Sequence, residues 1–284
     1  MRKLKGVLVL FLVCLFLLPV GVQAEQQDEF LETVLIEPGI DINIVPDDEK
    51  KSGYSEQGVE NNKTYRISKY PITQSQFEEV MGYNPSFFQG KLNNPVESLS
   101  FYDAVMFCNK LSERQGLMKA YKIKDISYAK DGNFIIGADV RAREWSDGYR
   151  LPTYIEWLYA SLGGIENETT LFPGSNEAKE VAWYRENSDK ANSSLDDFNN
   201  GGTMPVGKKK PNGYGLYDMA GNTYEYVFQL FENGDIAVVG GGWYSERYEL
   251  VAGYGVRANT LPNKTARKFV GFRPIRYVDL ELDE

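Results

Sequence analysis

The sequence contains no histidine. That absence removes imidazole acid–base catalysis, the Ser-His-Asp arrangement and every histidine-containing metal site. Cysteine is nearly as scarce, with two residues, Cys14 and Cys108. Cys14 falls in an N-terminal apolar run read below as a leader. The remainder holds one thiol and no intramolecular disulfide. A lone thiol without histidine needs a lysine, an arginine or a helix N-terminus to become a nucleophile. Cys108 instead shares an apolar stripe with Ala104, Val105, Phe107 and Leu111, where it serves as a small hydrophobe. Basic charge is also short: 31 Lys and Arg face 40 Asp and Glu, for a net −9. An acidic chain gains little from a phosphate backbone, so nucleic acid is not an expected partner. Long apolar runs are missing too. The longest, Val7–Val20, is short of the ~20 residues that span a bilayer.

That run has a use of another kind. Arg2, Lys3 and Lys5 precede it and Val22-Gln23-Ala24 follows, so residues 1–24 read as a secretory signal peptide. Lipid attachment at Cys14 is the weaker alternative, because Val13 is not small and the apolar run continues past the cysteine. The expectation is an exported protein, periplasmic, surface-bound or secreted, with no transmembrane segment after the signal is removed. Composition is ordinary for a globular protein, 42% hydrophobic and 25% charged. Residues 25–276 suffice for one large domain, with 277–284 as an acidic tail.

Along the chain, Ile40–Val45 alternates apolar and polar through Ile44, as a half-buried strand does, and Pro46 ends it. Tyr65–Tyr70 reads as the next strand. A helix follows over Pro71–Met81, where Thr73 and Gln76 form a capping box and Phe77, Val80 and Met81 share one face. A second helix is expected over Phe101–Gln115. Tyr121–Glu144 reads as a hairpin turning at Lys130–Asn133. Thr153 and Glu156 form another capping box and open a third helix. Residues 163–210 lack apolar periodicity and read as long loops, within which Asp196 and Asp197 read as a solvated acidic stretch, with contact to a cation such as calcium the weaker alternative. Ile236–Gly240 is a buried strand by its apolar run, and Val270–Arg276 a final strand.

Residues 211–227 are the most informative stretch. Gly213, Gly215 and Gly221 punctuate it, and Tyr214, Leu216, Tyr217, Met219, Tyr224 and Tyr226 fill it with apolar area. Asp218, Asn222 and Glu225 are set among them and need hydrogen-bond partners or a cation. Gly215-Leu216-Tyr217-Asp218-Met219-Ala220-Gly221-Asn222-Thr223-Tyr224-Glu225-Tyr226 resembles the G-L-Y-D-M-x-G-N-V-W-E-W signature of the formylglycine-generating enzyme, or sulfatase-modifying factor, family. Gly148-Tyr149-Arg150-Leu151-Pro152-Thr153-Tyr154-Ile155-Glu156-Trp157-Leu158-Tyr159-Ala160 resembles a second block of that family. A third block, over 243–268 with Gly271-Phe272-Arg273 beyond, follows in the right order.

The resemblance implies an α+β, loop-rich fold of the C-type lectin-like kind, with short strands and two to three helices. The family's enzymes oxidise a sulfatase cysteine with oxygen and a copper ion held by two cysteines. By position, Ser245 and Leu250 stand where those cysteines would be. Neither supplies a thiolate, and Cu(I) selects soft sulfur. Iron chemistry known among relatives needs histidine, which this chain lacks. The resemblance also implies a structural calcium at the Gly-Asn-x-x-Glu turn, with Asn222 and Glu225 as ligands; hydrogen bonding of Asn222 to the turn backbone is the alternative. What remains is a surface over 243–268. Tyr244, Ser245, Arg247, Tyr248, Arg257 and Asn259 are its candidate ligand-binding residues, since Tyr, Trp and Arg dominate binding hot spots. The expectation is a non-catalytic protein that binds an extracellular or periplasmic protein, peptide or glycan, without copper. The alternative is formylglycine generation or another oxidoreductase chemistry that the motifs do not reveal.

Overall fold

The computed structural model describes residues 30–41, 59–130, 135–143, 145–163, 170–188, 201–230, 235–252, 255–259 and 268–278. Residues 1–29 with Cys14, residues 42–58, the segment with Asp196 and Asp197, and the residues beyond 278 are among those outside this range. Four short strands come first: β1 (Thr33–Ile36), β2 (Gly39–Asp41), β3 (Val59–Asn61) and β4 (Tyr65–Ser68). Helices α1 (Gln74–Met81) and α2 (Phe101–Arg114) follow, then a hairpin of β5 (Tyr121–Tyr128) and β6 (Ile135–Ala142). Next is α3 (Tyr154–Leu162), with two single-turn helices, α4 (Ala178–Val181) and α5 (Arg185–Ser188). The remaining strands are β7 (Tyr224–Leu230), β8 (Asp235–Val239), β9 (Gly255–Asn259), β10 (Val270–Gly271) and β11 (Ile275–Tyr277).

The three longer helices each start on a capping box, in which a side chain and the third helical residue satisfy each other's exposed amides. The pairs are Thr73 with Gln76, Ser100 with Asp103, and Thr153 with Glu156. Helices α1 and α3 stop at Gly82 and Gly163, whose left-handed backbones (φ +86° and +88°) close the last turn. Two sheets form the frame. One has the order β1-β4-β11, antiparallel throughout, with Ile67 opposite both Val34 and Ile275. The other has the order β10-β7-β8-β9, where β10 runs parallel to β7. Phe77, Phe107 and Phe272 meet at the centre of one core, with ring centroids 5.2–6.4 Å apart. Cys108 lies fully buried among them, and burial pushes its thiol well above the usual range. It is a core residue, as its place in the α2 stripe implies.

The final strand differs from the sequence reading. Val270–Arg276 is not one strand but two, in separate sheets, because Phe272-Arg273-Pro274 breaks it. Pro274 has no amide to donate to a ladder. Arg273 turns inward, where it is fully buried. The loop region 163–210 also carries α4 and α5, too short to show a helical period.

Arg150 closes the fold from the other side. Its guanidinium grips Glu156 with two bonds of 2.8 and 2.6 Å, stacks 4.1 Å from the Tyr277 ring centroid, and its backbone bridges Ile275. Burial raises the Glu156 carboxyl, but Arg150, the Thr153 amide and the Tyr277 hydroxyl outweigh it and hold the group at about 2. A carboxyl held low in the folded state stabilises fully above its unfolded value of 4.5, and that stability is lost as pH falls through about 2. Glu156→Gln is therefore expected to cost about 3 kcal/mol at neutral pH. In urea unfolding followed from pH 6 to pH 2, the gap between wild type and variant should close below about pH 4.5.

Candidate functional site

The signature turn is held by one guanidinium. Arg273 Nε donates to both oxygens of Glu225, at 2.9 and 2.7 Å, and Nη2 donates to Glu225 Oε1 at 2.7 Å. The remaining hydrogens reach the carbonyls of Ser68, Lys69, Tyr217 and Asp218, at 2.8–3.3 Å. Trp157 of α3 completes Glu225, its indole N–H donating to Oε2 at 2.7 Å. Arg273 and Glu225 are essentially without solvent exposure. Such a pair holds only when geometry and extra hydrogen bonds offset the desolvation of both charges, and here every polar atom is matched.

The turn itself runs through unusual backbone. Asp218 and Asn222 adopt φ of +53° and +62°, the left-handed region that Asp and Asn tolerate best among side-chain-bearing residues. At Gly221 (φ +74°) a Cβ would lie 2.3 Å from the Trp183 carbonyl oxygen, so only glycine fits. Asn222 pins a distant loop: its Oδ1 accepts the Met204 amide at 2.9 Å, and its Nδ2 donates to the Met204 carbonyl at 3.0 Å and to Asp218 Oδ1 at 3.3 Å. Asp218 Oδ2 accepts the Gly207 amide at 2.8 Å. Burial pushes the Asp218 carboxyl up to about 6 despite these bonds and nearby Arg273.

The residues of this turn do not fit a calcium ion. Calcium gathers six to eight oxygens, and Glu225 already has a cation, Arg273, on both of its oxygens. Asn222 offers its side-chain oxygen to a backbone amide, the alternative raised by the sequence. Among the described residues no group of three or more Cys, Asp or Glu side chains is placed to hold a metal.

Residues 240–252 form the second part of the site. Gly240 and Gly241 have φ of +89° and +70° and bring the chain against α3 and the 3-10 turn Arg247–Leu250. A Cβ on Gly241 would lie 2.8 Å from Leu250 Cδ2 and 3.3 Å from Ser245 Oγ. The two positions equated with copper cysteines therefore do flank one point in space. Both are sealed. Leu250 is buried against Phe172, Val181 and Ala182. Ser245 is buried, and its hydroxyl donates to the Tyr224 hydroxyl at 3.0 Å and accepts the Gly242 amide at 3.0 Å. Ser245 thus supports the surface from beneath, with its hydroxyl taken up by Tyr224 and the Gly242 amide.

The other candidates divide. Tyr248 is 61% exposed, and Arg247 is exposed with its guanidinium 5.1 Å from the Phe172 ring centroid. Tyr244 is half-buried, 5.7 Å from Phe269 and 5.5 Å from the Arg185 guanidinium, which itself pairs with Glu246. Arg257 and Asn259 lie on β9 opposite Ala237 and Asp235; their side chains, like Tyr254, fall outside what the structure describes. Sequence reasoning missed a neighbouring loop. The buried Glu97 carboxylate accepts the amides of Phe87 and Phe88 at 3.1 and 3.0 Å and the Ser98 hydroxyl at 2.6 Å. It fixes Phe88 edge-on to Trp243 at 5.4 Å and leaves Phe87 half exposed beneath Lys268, whose Nζ is 3.5 Å from the ring centroid. The signal was Asn84-Pro85-Ser86-Phe87-Phe88, two aromatics after a helix stop, which reads equally well as core.

These features define a loop-rich α+β protein whose signature turn is locked by an arginine–glutamate pair. The chain belongs to the sulfatase-modifying factor family: the model of the sulfatase-modifying factor enzyme 1-like domain matches residues 20–278. A chaperone protein, LppX, from Paenibacillus barcinonensis is 38% identical over 210 residues, covering 69% of this chain and 74% of that one. The bovine (Bos taurus) inactive C-alpha-formylglycine-generating enzyme 2 is 28% identical over 48% of this chain and 46% of its own. Among solved structures, Treponema denticola variable protein 1 superposes with a TM-score of 0.67 at 26% identity, covering 87% of this chain and 95% of that one.

Breaking the central pair should be severe. Arg273→Met strands a buried carboxylate and four carbonyls, and is expected to cost at least 3–5 kcal/mol in chemical denaturation, roughly the cost of removing one partner of a buried pair. Replacing both partners, Arg273→Met with Glu225→Leu, should recover only part of that loss, because the carbonyls remain without donors.

Proposed function

We propose that this chain is an exported, non-catalytic binding protein of the sulfatase-modifying factor family, and that its ligand is a polypeptide. One observation carries the reading. The two positions of the family's copper pair are filled by Ser245 and Leu250, closed into hydrogen bonds and core, while an exposed aromatic and cationic face stands beside them. Arg247 and Tyr248 lead that face, Tyr244 and Phe269 continue it, and Phe87 with Lys268 borders it. Tyr and Arg combine area, stacking and hydrogen bonds at low entropic cost, which suits peptide recognition. A chaperone among the relatives supports a polypeptide over a glycan, and an inactive enzyme among them supports the loss of chemistry. Export rests on the leader-like first 24 residues. The competing reading, oxidoreductase chemistry of another kind, has little to draw on. The buried Asp218 carboxyl, raised to about 6 by burial, is enclosed and already bonded to Gly207 and Asn222.

The test uses a permanently unfolded polypeptide, reduced and carboxymethylated α-lactalbumin, titrated against the protein by fluorescence anisotropy. Arg247→Ala and Tyr248→Ala are each expected to weaken binding by roughly fivefold or more, about 1 kcal/mol, with little change in melting temperature. Wild-type binding unaffected by either variant would overturn the assignment of this face. Copper(I) titration should give no tight stoichiometric binding, since the site lacks soft ligands. Tight binding there would reopen oxidase chemistry.

A further inference from the structure

The outer face of the β5–β6 hairpin carries charge opposite in sign to the chain as a whole. Lys122 stands directly opposite Arg141, and Lys124 opposite Asp139. The other face of the hairpin, with Tyr121, Ile123 and Val140, packs toward the core beside α2. Like charges facing each other across strands destabilise a sheet, and this pair is retained in a chain of net charge −9. Beyond the hairpin the two segments stay side by side. The Arg143 amide donates to the Ala120 carbonyl at 2.8 Å, the Ser146 hydroxyl to the Met118 carbonyl at 2.8 Å, and the Met118 amide to Asp147 Oδ1 at 2.9 Å. Trp145 and Met118 are thereby held at the end of the cationic row, 86% and 52% exposed.

The charges on the row are unequal. Among the described residues of the row, Lys122, Lys124, Arg141 and Arg143, all exposed, face one carboxylate, Asp139, which lies 3.4 Å from Arg141. Nearby Lys119 pairs with Glu113 at 2.9 Å, Asp147 is engaged by the Met118 amide, and Asp125 is exposed at the hairpin's irregular register. An exposed indole beside lysines and arginines is the arrangement found at the boundary of water and lipid. There the ring lies among headgroups and the cations meet anionic phosphates. An extended plane of negative charge also relieves the repulsion between Lys122 and Arg141, which a single peptide chain would do less completely while leaving the indole uncovered. We propose that this face docks on an anionic lipid surface, with Trp145 and Met118 in the headgroup layer and the four cations over the phosphates. It is separate from the aromatic face around Tyr248 and does not depend on the function assigned there.

The test is sedimentation of the purified protein with vesicles of mixed phosphatidylglycerol and phosphatidylcholine, against vesicles of phosphatidylcholine alone. Binding is expected only with phosphatidylglycerol, and should weaken as salt rises. Lys122→Gln with Arg141→Gln should lower the apparent affinity by roughly thirtyfold, the effect of removing two cations near a charged surface. Because that change removes a like-charge pair, the variant should melt no lower than wild type, which separates lost docking from lost folding. Tryptophan emission should shift to the blue on mixed vesicles in the wild type and not in Trp145→Phe. Absence of binding to mixed vesicles, equal binding to both vesicle types, or binding unchanged in the charge variant would each overturn the proposal. Binding of polyglutamate without binding of vesicles would overturn it in favour of an acidic polypeptide.

Discussion

A single arginine decides whether this protein has an interior. Arg273 has no contact with solvent, and its donors are divided between a carboxylate and four backbone carbonyls. Those acceptors belong to the end of β4, to the turn at Tyr217 and Asp218, and to β7. Through Glu225 the network reaches the indole of Trp157 on α3. In a fold with so little regular structure, sheets and helices cannot fix one another by long ladders. A buried charge with fixed geometry does it instead, because misplacing any partner leaves a desolvated polar group. The break in the last strand follows from this: the backbone gives up its ladder where the side chain must turn inward.

The same network separates scaffold from surface. The Gly-Asn-Thr-Tyr-Glu turn looks on paper like a cation site, and its cation turns out to be the guanidinium. Asn222 uses its amide to tie in the segment around Met204, and Asp218 does the same for Gly207. One face of the turn therefore supports the neighbouring 240–252 segment without offering ligands of its own. The segment can then present Arg247 and Tyr248 outward while Ser245 and Leu250 point into packing. Ser245 and Leu250 carry no part of the Arg273 network, so the frame does not depend on what stands at those two positions.

Much of the frame was legible in the sequence. Thr73 with Gln76 and Thr153 with Glu156 announced helix starts, the stripe through Cys108 placed that residue in a core, and the signature blocks gave the fold. The capping box of Ser100 with Asp103 at the start of α2 has the same three-residue spacing but went unread. What else escaped was long-range. No local pattern joins Glu225 to Arg273, or Glu97 to the amides of Phe87 and Phe88, because such bonds follow tertiary geometry and not periodicity. The left-handed backbone of Asp218 and Asn222 was visible only as tolerance. The aromatic and cationic surface was legible as composition, a run of Tyr and Arg, but composition did not separate the buried Ser245 from the exposed Tyr248.

Arg273 follows every one of its partners along the chain, and that imposes an order in time. Its bonds to the carbonyls of Ser68 and Lys69 span 205 and 204 residues. Strand β11, next to it, completes a sheet whose other members lie before residue 70. A nascent chain that has not yet reached Arg273 holds β1, β4 and the signature turn without the group that joins them. Contacts of such sequence separation slow folding, since the loop must close before any of them stabilises. During synthesis these elements therefore stay unjoined until Arg273 and β11 have been made, and their union arrives as one late, cooperative event.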